Sequence, residues 1–338
     1  MWPPIRMIPK VGPSVGLGHT VRCLALASKL RTGKARDIRF LLSRRVPERR
    51  IIQRERFHVG QLEPRSTLDN QAIYVVDLDA PPSAWPFGFK TQPIALAAID
   101  DRGLIRQGVD FVVNQNVNAN RNQYGPGVRT LIGPRYALLR REFEVARLRS
   151  PKIRDIGRRV IVSLGGSDPA GGTGRVLEAL ARGKLDIVAV VGPAFNHQVR
   201  LPIRPTARVR VVRNPRRLAS LFQWSDVAIS AGGSTVYELA ACGTPAITVS
   251  ENKAQESHGK CLQEFGVVEH VGPAERVGED LLQITQDLLR DRPWRTKMSR
   301  NGRKLVDGLG TERVMRMLYR VTTSWRERQD ERRHSGPH

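Results

Sequence analysis

The 338-residue sequence predicts an α/β protein of two Rossmann-like domains whose parallel sheets face across a cleft. Three observations carry that prediction. Short apolar runs alternate with longer helical patterns, the pattern restarts at mid-chain, and each half opens on a strand followed by a glycine-rich turn.

In the first half the strand candidates are 38–42, 72–77, 94–99 and 109–113, and helical periodicity marks 19–31 and 137–147. In the second half strands are expected at 159–164, 186–191, 209–212, 227–230 and 246–249. Helices are expected over 174–182, 235–242, 254–265, 279–290 and 311–326. Between the halves, Ser150-Pro151-Lys152 is polar and contains a proline, as a linker does. The expected division is therefore a first domain over 1–150, a second over 151–325, and a disordered basic tail over 326–338.

At 40% hydrophobic and 26% charged residues, the composition is that of an ordinary globular chain. The charge is not ordinary: 56 Lys and Arg against 32 Asp and Glu give +24, and only 10 of the 56 are Lys. Residues 1–150 carry 25 basic and 12 acidic side chains, and residues 151–338 carry 31 and 20. An excess spread this evenly argues against a dedicated nucleic-acid site, which clusters its charge. It leaves weak association with an anionic membrane surface open. Cys23, Cys242 and Cys261 are scattered, with neither a C-x-x-C pair nor histidine at ligand spacing, so neither a disulfide framework nor a metal is expected. No cofactor is implied. The opening MWPPIRMIPK lacks the apolar stretch of a signal peptide, and a cytoplasmic protein is expected.

Four stretches can carry chemistry. Ser14-Val15-Gly16-Leu17-Gly18-His19-Thr20-Val21-Arg22 brings a helix start close to an anion and sets His19 in its first turn, where it is either a general base or merely a packed cap. It is not a P-loop and fails the dinucleotide fingerprint at Val21. The stretch Ser230-Ala231-Gly232-Gly233-Ser234-Thr235 ends a strand in small residues and opens a helix. Its N–H groups suit a diphosphate, and Glu238, four positions after Ser234, can accept from two ribose hydroxyls or simply interact with its own helix start. Gly165-Gly166-Ser167-Asp168, followed by Gly171-Gly172-Thr173-Gly174, is a second loop-to-helix anion site. Finally, Asn114-Gln115-Asn116-Val117-Asn118-Ala119-Asn120 gathers amides that read sugar hydroxyls or build turns.

Taken together, these residues resemble the UDP-sugar hydrolases of the pseudaminic acid pathway and their spore-coat polysaccharide relatives. The likeness runs from about residue 12 to 272. It rests on GLGHTVRCLALA (16–27), Asp100-Asp101 before VDFVVNQNVNAN, GPRYALLRREF (133–143), LGGSDPAG and AGGSTVYELAACGTPAI. A more distant similarity is to the peptidoglycan transferase that uses UDP-N-acetylglucosamine. The resemblance implies a GT-B fold with the nucleotide on the C-terminal domain, and a reaction that cleaves the anomeric C–O bond of a UDP-linked amino or deoxy sugar. The setting it implies is surface polysaccharide or nonulosonic acid biosynthesis.

By the same resemblance His19 is the catalytic histidine, Gly233, Ser234 and Thr235 form the diphosphate loop, Glu238 binds ribose and Gln255 faces the sugar nucleotide. Gly18, Arg22, Asn118, Gly165, Gly166, Ser167, Asp168 and Gly232 complete the expected substrate contacts. Two positions depart from the pattern: Asp77-Leu78-Asp79-Ala80 stands where the family has Asp-His-Tyr-Gly, and Ala254 stands where it has Asn. A GT-B glycosyltransferase with a UDP-sugar donor is the alternative, and a non-catalytic sugar-nucleotide or nucleic-acid binding protein is a third.

Overall fold

Runs of four or five apolar and β-branched residues bury both faces of a strand. Such runs form the central strands of the two main sheets in the computed structural model, which describes residues 2–12, 15–43, 46–203 and 205–334. In the first half the strands are β1 (Ile5–Pro9), β2 (Ile38–Leu42), β3 (His58–Gln61), β4 (Ser66–Leu68), β5 (Ile73–Asp77), β6 (Phe87–Phe89), β7 (Ala95–Ile99), β8 (Phe111–Asn114) and β9 (Arg129–Ile132). Seven of them pair in the order β3-β2-β1-β5-β7-β8-β9, all parallel, and β4 and β6 make a separate parallel pair. Helix α1 (Gly18–Thr32) follows β1, and α2 (Glu48–Arg54) follows β2.

The second half begins with helix α3 (Arg141–Arg147). Its strands are β10 (Arg159–Ser163), β11 (Asp186–Val191), β12 (Arg208–Arg213), β13 (Val227–Ala231), β14 (Ala246–Ser250) and β15 (Val268–Pro273). They form one parallel sheet in the order β12-β11-β10-β13-β14-β15. Its helices are α4 (Gly172–Leu180), α5 (Leu218–Trp224), α6 (Thr235–Cys242), α7 (Lys253–Glu264), α8 (Glu279–Arg290) and α9 (Arg292–Leu305), and the chain then enters α10 (Gly310–His334). In each sheet the strand order reverses at the middle, between β1 and β5 and between β10 and β13. Chains leaving adjacent strands there diverge and open a crevice at the carboxyl ends.

Each sheet has its own core. In the first, Ile5, Met7, Phe40, Ile73, Val75, Ala97 and Phe111 are buried with Leu26 and Leu30 of α1. In the second, Val160, Val162, Ile187, Val227, Ile229, Ile247 and Val249 are buried with Val176, Leu177 and Leu180 of α4. Burying one such aliphatic side chain contributes about 1.5–3 kcal/mol.

The domain boundaries differ from the expected ones. One compact unit comprises Met1–Val15, His19–Arg140 and Leu309–His338, and the other Gly16–Gly18 and Arg141–Gly308. Helix α3 belongs to the second unit because Phe143 stacks on Phe222, with ring centroids 5.7 Å apart, and Glu142 accepts from Ala219 N. The division thus falls ahead of the Pro151 linker. Helix α10 belongs to the first unit because Val314, Leu318 and Val321 repeat at helical spacing and are buried in its core. The chain is helical through residue 334, so the stretch from 326 expected to be a disordered tail continues α10 that far; Ser14 and 335–338 lie outside the described residues.

Smaller differences have local causes. The helix expected over 137–147 is shorter, because Gly133, in the left-handed region, leads into a tight turn at Pro134–Tyr136 and helix resumes only at Arg141. Edge strand β3 (HVGQ) has no apolar run to announce it. Helix α9 hides in a charge-rich segment. It starts where Asp291 accepts from Trp294 N, with proline in the first turn, and it buries only a narrow stripe through Met298 and Gly302.

Candidate functional site

In the first unit, the buried strand β5 reads IYVVD, and its last residue, Asp77, is fully buried at the switch point. A carboxylate there requires compensation. Helix α1 supplies it from residues three positions apart, which share a face. His19 Nδ1 lies 2.7 Å from Asp77 Oδ1, Arg22 Nη2 donates to the same oxygen at 2.6 Å, and Arg22 Nε donates to Oδ2 at 2.7 Å. The remaining arm of Arg22, Nη1, donates to Asp101 Oδ2 at 2.6 Å, just past the end of β7.

Burial alone would raise the Asp77 carboxyl. The charges of Arg22 and His19 outweigh it and hold the group at about 2. Burial likewise works against the Arg22 charge, but Asp101 and Asp77 together raise its guanidinium well above its ordinary value. Asp77 is therefore an anion and can only accept. Its contact requires the proton on His19 Nδ1, so the neutral ring carries its lone pair on Nε2. The 3.1 Å approach of Arg22 Nη2 to that same Nδ1 is then proximity rather than a bond, since both groups are donors. The side chain of His19 is 17% exposed, so the ring is held but reachable.

The departure at Leu78-Asp79 now has a structural meaning. Leu78 packs against the apolar cluster of Tyr74, Val76 and Phe87. Asp79 takes a left-handed backbone (φ 47°) and places Oδ2 at 3.7 Å from His19 Nε2 and 3.1 Å from Lys10 Nζ. A carboxylate thus stands beside the nitrogen that would take a proton.

Arg22 and most of the amide run have protein partners of their own. Arg22 is buried, and its Nε, Nη1 and Nη2 all donate to carboxylates, so it braces the cluster rather than reaching for a ligand. The amide run after β8 is largely architectural. Asn114 Nδ2 donates to Tyr124 Oη, Gln115 Oε1 accepts from Leu138 N, and Asn120 caps a short turn. Asn118 is exposed in that same segment, past the carboxyl end of β8.

In the second unit, the loops after β10 and β13 leave neighbouring strands at the switch point. Gly165 is left-handed (φ 114°), and Gly166 O accepts from Ala194 N at 3.0 Å. Asp168 does not present its carboxylate to the loop. It adopts φ 44° and turns back, so that Oδ1 and Oδ2 accept from Gly172 N (2.7 Å) and Thr173 N (3.0 Å) at the start of α4. It is a helix-capping residue, and Ser167 and the loop amides remain as the candidate contacts.

The loop after β13 is held from behind. A Cβ on Gly232 would lie 2.5 Å from Gln255 O, so only glycine fits there, whereas a Cβ on Gly233 would meet nothing within 4 Å. His258 Nδ1 lies 2.6 Å from Gly232 O, and its Nε2 lies 2.6 Å from Tyr237 Oη. A carbonyl can only accept, so Nδ1 carries the proton and Tyr237 donates to Nε2. Fixing the Gly232 carbonyl also fixes the Gly233 N–H, which points the opposite way across the trans peptide. Ser234 is exposed at the N-cap of α6, Thr235 begins the helix, and Glu238 is half-buried in its first turn. The helix dipole favours an anion there. Gln255 sits at the start of α7, where Asn252 Oδ1 accepts from its N–H and its own Oε1 accepts from Glu251 N.

Glu251, just beyond β14, is raised to about 7, chiefly by burial and then by the nearby Asp168 carboxylate. A folded value above the usual carboxylate range favours folding below about pH 4.5 and is lost as pH rises through 7. Glu251→Gln is therefore expected to raise Tm by about 2–4 °C at pH 8 and to change it little at pH 4.5. Thermal unfolding at the two pH values checks this; an equal shift at both would remove the proton from the explanation.

Comparison with known proteins follows the same division. Residues 176–309 match the family model described as glycosyltransferase family 28 C-terminal domain. The spore coat polysaccharide biosynthesis protein SpsG of Bacillus subtilis is 31% identical over 193 residues, 55% of this chain and 57% of that one. The UDP-N-acetylglucosamine–N-acetylmuramyl-(pentapeptide) pyrophosphoryl-undecaprenol N-acetylglucosamine transferase of Haemophilus ducreyi is 29% identical over 109 residues, 31% of each chain. The chain thus spans little more than half the length of the first of these relatives and about a third of the second. Among solved structures, MurG of Acinetobacter baumannii superposes with a TM-score of 0.59 over 94% of this chain and 99% of the other, at 14% identity.

The fold is that of the GT-B glycosyltransferases. A GT-B chain has two Rossmann-like domains, and the two parallel sheets with their mid-sheet reversals are those of this class. The family match lies on the unit that carries the Gly232–Glu238 loop and helix.

Two pairings at the site have no signal in the sequence. Asp77 was legible as an acid ending a buried strand, but its pairing with His19 was not. Nothing in the spacing of Tyr237 and His258 announces that both close on Gly232.

Proposed function

We propose that the chain is a GT-B enzyme acting on a UDP-sugar, with the second unit binding the nucleotide and His19 serving as the general base for glycosyl transfer to an acceptor. The observation that carries this reading is the 2.7 Å contact between His19 Nδ1 and the buried, ionised Asp77, which leaves Nε2 as a base at the carboxyl end of the central strands. The glycosyltransferase family model matched by the second unit and the likeness to the N-acetylglucosamine transferase of Haemophilus ducreyi favour transfer over hydrolysis, the outcome expected from the resemblance. The relatives' names also support an amino-sugar donor and a place in polysaccharide biosynthesis.

The chemistry is direct. As the bond from the anomeric carbon to the diphosphate stretches, negative charge grows on the leaving oxygens, and in this reading the Gly233–Thr235 amides and helix dipole stabilise it. The sugar becomes oxocarbenium-like, and His19 Nε2 takes the proton of the incoming hydroxyl. Water in place of the acceptor gives hydrolysis by the same steps.

The test is UDP release from a panel of UDP-amino sugars, with and without simple glycosides as acceptors. Acceptor-dependent release is expected; equal release without acceptor would return the assignment to a hydrolase. Glu238→Ala is expected to raise the Kd for UDP about tenfold by removing a charge-assisted hydrogen bond, and an unchanged Kd would remove Glu238 from nucleotide binding.

A further inference from the structure

At the amino ends of β10, β11 and β12, on the opposite side of the second sheet from the Gly165–Asp168 and Gly232–Thr235 loops, three chain segments are tied side by side. Asp186 N donates to Arg158 O, Arg208 N to Leu185 O, and Thr206 N and Ala207 N both to Ala181 O. The margin they form carries two isoleucines in the open: Ile156 is 71% exposed and Ile203 is 90% exposed. Around them Arg158, Lys184 and Arg208 are exposed and form no ion pair among the described residues. The nearby acids Asp155 and Glu279 already face Arg292 (3.1 Å) and Arg182 (3.6 Å), and Asp186, in register with Arg208, is half-buried, so the exposed cations outnumber the acids here.

A crossover without a helix explains the exposure. The chain passes from β11 to β12 through a proline-containing loop, so no helical stripe covers this corner of the sheet. Single exposed apolar residues are ordinary. Two isoleucines on one margin, ringed by unpaired cations in a chain of +24, make an amphipathic surface of a specific kind. The cations suit a layer of anionic headgroups, and the isoleucines suit the shallow apolar zone beneath it. A nucleic-acid backbone would use the charges but not the isoleucines; the Trp224 ring near the start of β10 is half-buried and already covered by the Arg159 guanidinium at 5.3 Å.

We propose that this margin of the second unit docks the protein on an anionic lipid bilayer. Whereas the sequence left membrane association to charge spread along the chain, the structure gives it an address. That address lies at the far end of the sheet from the nucleotide loops, so docking and nucleotide binding do not compete for it.

The test is co-sedimentation of the full chain with vesicles of mixed phosphatidylglycerol and phosphatidylcholine, against phosphatidylcholine alone. Binding to the mixed vesicles only is expected. The double variant Lys184→Glu/Arg208→Glu should weaken it at least about tenfold, while Arg50→Glu/Arg54→Glu, an equal charge change on exposed α2 residues, should weaken it less than about threefold. Ile156→Asp/Ile203→Asp should abolish the fraction that survives high salt, because apolar insertion is not screened. Unchanged thermal unfolding of each variant excludes misfolding. Equal losses in the two charge-reversal pairs, no vesicle binding, or retention of double-stranded DNA lost on K184E/R208E while vesicle binding persists would each overturn the proposal.

Discussion

Replacing His19 by asparagine is expected to lower kcat about 100- to 10,000-fold while leaving the Kd for UDP unchanged. General-base catalysis contributes that much, and the loops proposed to hold the nucleotide lie in the other unit. Asp77→Asn is expected to lose a comparable factor by a different route. An amide cannot replace a carboxylate that accepts from His19 Nδ1, Arg22 Nη2 and Arg22 Nε together. If its nitrogen faces the ring, it donates to Nδ1 and moves the proton to Nε2, which abolishes the base. Because both changes act on one function, the double variant should be no slower than His19→Asn alone. Multiplicative losses would mean that Asp77 does something other than orient the imidazole. Steady-state UDP release and UDP titration on all three variants decide the matter.

The largest effect on stability is expected at Arg22. Its guanidinium makes two bonds to Asp77 and one to Asp101, and Asp77 is fully buried. Arg22→Met leaves that carboxylate without its principal counter-charge, and breaking a buried pair in this way costs about 3–5 kcal/mol. The cost should depend on pH. The folded-state pKa of Asp77, held at about 2, lies below its unfolded value, so its contribution is present above about pH 4 and lost as pH falls through 2. In Arg22→Met the carboxyl takes up its proton at higher pH, so the two proteins should converge in stability as the solution is acidified. Denaturant unfolding at pH 7 and pH 3 measures this. A constant difference would assign the loss to packing alone. Arg22→Met/Asp77→Asn should recover part of the stability, since it removes the orphaned charge as well.

Parts of this molecule were legible in the sequence for identifiable reasons. Buried parallel strands are short apolar runs, and β2, β11 and helices α6 and α8 fall where periodicity places them, because burial of both strand faces or of one helix stripe writes itself into local order. The glycine-rich loops were legible too, since a left-handed Gly165 and a Gly232 pressed against Gln255 admit no other residue. Edge strand β3 and the charge-rich α9 were not, because weak burial leaves weak periodicity.

The sequence by itself determined the class of fold, the position of the two switch-point loops and the presence of a histidine at a helix start. Only the tertiary structure decided which charges meet. Asp77 is 58 residues from His19, and Asp101 is 79 from Arg22, and they come together because β5 and β7 end beside the start of α1. The same holds for Asp168, turned back onto its own helix, for α10, returned to the first unit by three buried residues, and for the exposed isoleucines at the far margin of the second sheet. Composition and spacing constrain what a segment can bury, whereas the partner of a charge is set by which strand ends adjoin, and that is a property of the folded sheet.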